Sequence, residues 1–319
     1  MARIILLCPR GSTTGGPEAL HQLAAAFRSF GADVYLWDPT LQIVNEASSI
    51  SAYFNRYDVD WTDLAPESGD TIVIPEIFCK YLDEYYDVCH CILWWLSVDN
   101  FFKSDIPIEL LIDRYPRLVH IVQSKYALDF LENKGIIASM LVTDFINDNI
   151  VNRAEEFVTQ RRTRENTFDI AVNPKKGYER TQKVLERLSD LKVIELENMS
   201  RQQLVVALSS STIYLDLGNH PGMDRIPREA SILGCTVMTN LRGSAGNEID
   251  VPLERDTYKI HDQDLGFEEV ISERVLNVLK SPDSSFANQS DYRSWVIGSK
   301  HRFFREARVL LNSITIYEL

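Results

Sequence analysis

One short stretch of this chain, TIYLDLGNHPGMDRIPREASILGCTVMTNLRGSAGN, residues 212–247, sets a cluster of ionisable residues among glycines between two apolar runs. Ten positions of it hold His220, Asp224, Arg225, Arg228 and Glu229, next to Gly218, Pro221 and Gly222. A loop that merely joins two elements rarely needs so much charge. The residue types suit a ligand that is both anionic and hydroxylated. Arg225 and Arg228 can hold phosphate, or pair with Asp224 and Glu229. Glu229, near the start of a helix, can accept two hydroxyls of a ribose. Farther on, Gly243-Ser244-Ala245-Gly246-Asn247 has side chains small enough to leave backbone N–H groups open to a phosphate or sugar, or forms a tight turn.

Three further groups carry candidate chemistry. Asn173-Pro174-Lys175-Lys176-Gly177 places two point charges ahead of a helix, which suits a diphosphate. Gly11-Ser12-Thr13-Thr14-Gly15-Gly16 precedes another helix, whose free N–H groups and small residues allow a ligand close to the backbone. It is neither a GxGxxG fingerprint nor a P-loop. Trp94-Trp95-Leu96-Ser97-Val98-Asp99-Asn100-Phe101-Phe102 reads either as a carbohydrate platform or as an aromatic core with a polar cap. Asp99 or His90 is a candidate general base there. Cys89-His90-Cys91 lacks a second ligand pair at zinc spacing and reads as part of a buried strand. No GxSxG elbow is present.

The elements that must position these residues alternate. Strands are expected at Arg3–Cys8, Asp33–Trp37, Thr71–Ile74, Cys91–Leu96 and Leu118–Gln123, with helices at Gly15–Phe30 and Lys125–Lys134. The polar stretch Asn149–Asn166 reads as a linker. The rhythm then restarts with strands Phe168–Val172, Lys192–Glu195, Ile213–Leu215 and Cys235–Thr239. Helices fall at Thr181–Leu188, Ser200–Ser209 (Ser200 as N-cap), Ile226–Leu233 with Gly234 beyond, Phe267–Leu279 and Arg293–Asn312. The pattern predicts an α/β protein of two Rossmann-like domains facing a cleft, 1–150 and 151–319.

The 319 residues include 33 Lys and Arg against 46 Asp and Glu, a formal net charge of -13. That balance argues against a nucleic-acid partner. No apolar run reaches the ~20 residues that span a bilayer, and the opening MARIILLCPRGS reads as a first buried strand. Five cysteines, an odd count, fit reduced thiols in a cytoplasm.

Four segments carry a resemblance to the GT-B glycosyltransferases of the glycogen-synthase-like (group 1) superfamily. GGPEALHQLAAAFRSFGADVYLWD (15–38) is similar to that family's glycine motif and first helix. HIVQSKYALDFLENKGI (120–136) resembles the last strand and helix of its N-terminal domain. NPKKG lies where the family keeps a phosphate-binding lysine, and RIPREASILGCTVMTNLRGSAGNEID (225–250) resembles its Glu-Ala, small-Gly, Val pattern. The resemblance implies a hexosyltransferase-type activity without a metal or resident cofactor. The co-substrate would be a nucleotide-sugar, of the UDP or GDP type and with CMP open, and the acceptor a glycan or other hydroxyl. Glu229 would bind the donor ribose, Lys175 or Lys176 the diphosphate, and Ser244 and Ala245 phosphate through backbone N–H groups. Gly15 and Gly16 would approach donor or acceptor. Surface polysaccharide assembly and a cytoplasmic placement, including one peripheral to the inner membrane face, are compatible.

One departure stands out. The family commonly has another glutamate eight residues before the ribose-binding one, and here that position is Pro221. His220 and Asp224 are the candidates to stand in. A sugar-nucleotide epimerase of the same fold and a catalytically silent binding protein are the alternatives. A two-domain NAD-dependent dehydrogenase is disfavoured by the missing GxGxxG.

Overall fold

The computed structural model describes residues 3–40, 52–104, 106–161, 168–263 and 265–316. They form two units. The first comprises the chain through Phe145, the three residues Pro221–Met223 and everything from Lys300 on. The second comprises Ile146–His220 and Asp224–Ser299.

The first unit is built on six parallel strands. They are β1 (Ile4–Leu7), β2 (Val34–Trp37), β3 (Thr71–Pro75), β4 (His90–Trp95), β5 (Val119–Val122) and β6 (Met140–Leu141), in the order β2-β1-β3-β4-β5-β6. A parallel sheet covered on both faces needs continuous apolar strands, and side chains of period two sort to opposite faces. Leu6, Val73, Ile92, Trp94 and Ile121 pack on one face, with Leu20, Leu23 and Phe27 of helix Gly15–Ser29. Leu7, Ile72, Leu93, Trp95 and Val122 pack on the other.

The second unit has five parallel strands: β7 (Phe168–Val172), β8 (Val193–Glu195), β9 (Ser211–Asp216), β10 (Thr236–Asn240) and β11 (Lys259–Ile260). Their order is β11-β10-β9-β7-β8. In both sheets the chain steps from its first strand to one side and then crosses to the other. This creates a switch point, between β1 and β3 in the first unit and between β7 and β9 in the second. Loops leaving the carboxyl ends at such a point diverge, and ligands of open α/β sheets bind there. The register pairs Val172 with Leu215, so the loops after β7 and β9 leave the sheet side by side.

Three expectations change. The polar stretch expected to link two domains carries helices at Asp148–Val151 and Ala154–Arg161 in its described part. Ile150, Ala154 and Phe157 recur at helical spacing and pack into the second unit's core. The long C-terminal helix is two, Ser290–Ile297 and Ser299–Ile316, broken at Gly298. The division falls after Phe145 rather than at residue 150, and the residues from Lys300 rejoin the first unit. The cause is the stripe Phe303, Ala307, Leu310 and Ile314, which is buried in the first unit's core. Glu306 on the same helix accepts hydrogen bonds from Thr143 N at 2.8 Å and Thr143 Oγ1 at 2.7 Å.

Candidate functional site

The second unit's switch point gathers the charged residues of its two loops. Gly177 and Gly218 let those loops touch. Gly177 has φ +60°, and a Cβ there would lie 2.7 Å from Leu217 O. A Cβ on Gly218 would strike the Lys176 side chain. The close approach leaves Lys176 Nζ 2.6 Å from Asp224 Oδ2, while Lys175 is exposed. His220, only 1 % exposed, sets Nδ1 2.9 Å from the same oxygen and Nε2 3.6 Å from Asp216 Oδ1. Asp216 is itself held, accepting from Tyr214 Oη at 2.7 Å and from Gly218 N at 3.0 Å.

Burial opposes the charged form of His220. The carboxylates of Asp216 and Asp224 outweigh it and raise the histidine pKa above its ordinary value, although Lys176 pulls the other way. Burial likewise pushes the Asp224 carboxyl upward, and His220 and Lys176 together hold it below the usual carboxylate range. The group is therefore a chain of alternating charge: Asp216, His220, Asp224, Lys176.

Helix Arg225–Ile232 begins at this chain, with Asp224 at its N-cap position. Glu229 sits one turn in rather than at the helix start. It is 1 % exposed, and its Oε1 pairs with Arg201 and lies 3.9 Å from Arg225 Nε. Glu229 Oε2 has no hydrogen-bond partner among the described residues. Arg228, expected as a phosphate ligand or an ion-pair partner, is buried and donates through Nε to Asp224 O at 3.1 Å. Arg201 escaped sequence reasoning. It opens helix Arg201–Ser209, whose N-cap Ser200 forms the expected cap as a full capping box with Gln203. That cap was legible, whereas a pairing with a glutamate 28 positions away has no local signal.

The turn Gly243–Gly246 follows β10. Ser244 and Ala245 are buried, and Ser244 N–H donates to His220 O at 2.8 Å. That N–H braces the loop after β9, so the role expected of it as a phosphate donor is already occupied. Gly243 has φ +59°, and a Cβ there would collide with His220 O.

The first unit holds the remaining candidates. Asp99 lies in the short helix Val98–Phe101, whereas His220 and Asp224 belong to the second unit. Gly15 and Gly16 open helix Gly15–Ser29, and a Cβ on Gly16 would meet Leu96 at an ordinary 3.8 Å. Trp94 and Trp95 are fully buried, with Nε1 groups donating to Val142 O at 3.1 Å and His120 Nδ1 at 3.2 Å. The pair is core, and the carbohydrate-platform reading is overturned for it. His90 starts β4 and so stands at the amino end of the sheet, opposite the ligand-binding end. Cys89 and Cys91 are buried and free. Sequence reasoning passed over Glu76, fully enclosed at the carboxyl end of β3. Burial pushes its carboxyl up to about 7 while Leu96 N donates to its Oε2 at 2.8 Å.

No protein-family model matches the sequence, and no curated protein matches it. Solved structures match nearly the whole chain. HepE from Anabaena, in complex with UDP and glucose, aligns with TM-score 0.68 at 10 % identity over 99 % of this chain and 100 % of that one. Sucrose-phosphate synthase from Thermosynechococcus elongatus aligns with TM-score 0.63 at 14 % identity over 99 % and 98 %. WaaG, a glycosyltransferase involved in lipopolysaccharide biosynthesis, aligns with TM-score 0.55 at 12 % identity over 95 % and 98 %. The class is thereby defined: an α/β protein of two parallel sheets with the fold of the GT-B glycosyltransferase superfamily. At these identities the likeness speaks to fold.

Proposed function

We propose that the protein is a glycosyltransferase that moves a sugar from a nucleoside-diphosphate sugar to a hydroxyl of a glycan or other acceptor. The second unit would bind the donor. The observation that carries this reading is Glu229 Oε2, a buried carboxylate oxygen without a hydrogen-bond partner among the described residues. Leaving such an atom unsatisfied is costly, and a ribose hydroxyl would satisfy it. Lys176, at the switch point, is the cation suited to the diphosphate. The N-terminus of helix Arg225–Ile232 adds a favourable dipole for the departing phosphate, so the proposal needs no metal.

HepE was solved with UDP and glucose, which makes UDP the first nucleotide to test. WaaG's part in lipopolysaccharide biosynthesis supports surface polysaccharide as the acceptor class. Asp99 is the proposed first-unit base. No helix among the described residues is long and apolar enough to cross a membrane.

A thermal-shift panel of UDP, GDP, CMP, ADP and TDP with EDTA present tests the reading, since a ligand that binds only the native state raises its melting temperature. One nucleotide should stabilise the wild type, and Glu229→Ala should weaken its affinity by about tenfold or more, roughly the worth of one hydrogen bond to a charged group. Absence of any shift in the wild type would sink the proposal. A second reading, a nucleotide-binding protein without transfer activity, is favoured by Pro221 at the position of the family's other glutamate. Nucleotide binding without release of UDP from UDP-sugar, with or without acceptors, would select it.

A further inference from the structure

His220 joins three loops of the second unit, yet its side chain is too enclosed to touch a substrate. Its carbonyl anchors the turn after β10 through Ser244 N–H, and Gly243 packs directly over that carbonyl. Its Nδ1 meets Asp224 Oδ2, which Lys176 Nζ also meets at 2.6 Å. Its Nε2 faces Asp216 Oδ1 at 3.6 Å and makes no hydrogen bond among the described residues. The groups around the imidazole are Asp216 and Tyr214 on β9, Asp224 and Arg228 from helix Arg225–Ile232 and its cap, and Lys176 from the loop after β7. The turn after β10 meets His220 through Ser244 N–H on its carbonyl.

The charges decide what this arrangement does. The carboxylates of Asp216 and Asp224 face the His220 imidazole, Asp224 also meets Lys176, and the Arg228 guanidinium is engaged with the Asp224 backbone carbonyl. With His220 neutral, Asp224 loses one of the positive charges that face it, and its pair with Lys176 at 2.6 Å carries more of the compensation. An anionic ligand reaching for Lys176 would then have to strip a buried-side carboxylate of its partner, which is expensive.

We propose that His220 is a positioning residue of the donor site, whose imidazolium keeps Asp224 compensated so that Lys176 can turn to the diphosphate of the nucleotide. This rests on the donor-site reading above. Proton binding at His220 and diphosphate binding at Lys176 are therefore coupled, and the coupling is reciprocal. When Lys176 moves toward a diphosphate, a cation leaves the neighbourhood of His220 and an anion enters. Both changes favour the imidazolium.

The test follows the His220 ring signals by NMR through a pH titration of the full chain, with and without saturating UDP. Calorimetric UDP and pyrophosphate affinities at pH 6 and pH 8 accompany it. The His220 pKa should rise on binding, and a rise of about one unit corresponds to as much as a tenfold tighter affinity at the lower pH. His220→Gln removes the titrating group but leaves the ligand's own ionisation in place. It should bind more weakly at pH 6 and lack the wild type's relative loss at pH 8. Glu229→Ala should bind weakly at both values and keep that relative loss. UDP binding with an unchanged or lowered His220 pKa overturns the role of His220 and leaves the donor site standing. Failure of UDP, GDP, CMP and pyrophosphate to bind the wild type overturns both. Should His220→Gln not fold, the wild-type titration decides alone.

Discussion

Glu76 shows how one buried carboxyl sets a pH dependence. Its folded-state pKa of about 7 stands above the ordinary 4.5 because burial disfavours the anion. The folded protein then holds this proton more tightly than the unfolded chain does. Its contribution to stability is most favourable below about 4.5, declines as pH rises, and is spent above about 7. The swing is on the order of 3 kcal/mol. Urea midpoints at pH 5 and pH 8 should fall further in the wild type than in Glu76→Gln, which keeps a hydrogen-bonding oxygen for Leu96 N–H. Equal falls would remove Glu76 as the cause. The residues of the candidate site differ in how legible they were. Glu229, and Lys175 or Lys176 without a choice between them, stood out as candidates by type and by place beyond an apolar strand. Arg201 did not, because its meaning lies in a contact that only the packed second sheet creates.

At the scale of elements, strands β1, β7, β9 and β10 were readable because buried parallel strands leave unbroken apolar runs, here ending in glycine-bearing loops, and β3 because its run ends in Pro75-Glu76. The same property misled the reading of Trp94 and Trp95. Alternate residues of a strand covered on both faces are both core, so an aromatic pair there says nothing about a ligand. The helices at Asp148–Val151 and Ala154–Arg161 were hidden by surrounding charge, which masked the spacing of Ile150, Ala154 and Phe157. The crossing of Gly177 and Gly218 leaves no room for a Cβ at either position. Gly218→Ala should force Lys176 and the loop after β7 apart, costing about 1–3 kcal/mol by overpacking and reducing nucleotide affinity with it. Chemical denaturation and the thermal-shift panel check the two effects. An alanine variant with wild-type stability and binding would show that the loops have room to part.

At the scale of the molecule, the first unit is assembled from distant stretches of chain. Leu310 is buried in its core beside Leu20, Leu23 and Phe27. Leu310→Ala should destabilise this unit by about 2–5 kcal/mol. Hydrogen exchange should quicken at Ile4–Leu7 and along helix Gly15–Ser29, leaving Ile213–Leu215 protected as before. Equal acceleration in both units would mean that they unfold as one. The returning helix also has a consequence for synthesis on the ribosome. Ile146–Ser299 supply almost all of the second core and emerge before Phe303, Ala307, Leu310 and Ile314 exist. The half encoded later can therefore close first, while the core of Leu20, Leu23 and Phe27 awaits the helix that completes it, a nascent apolar surface of the kind that chaperones hold.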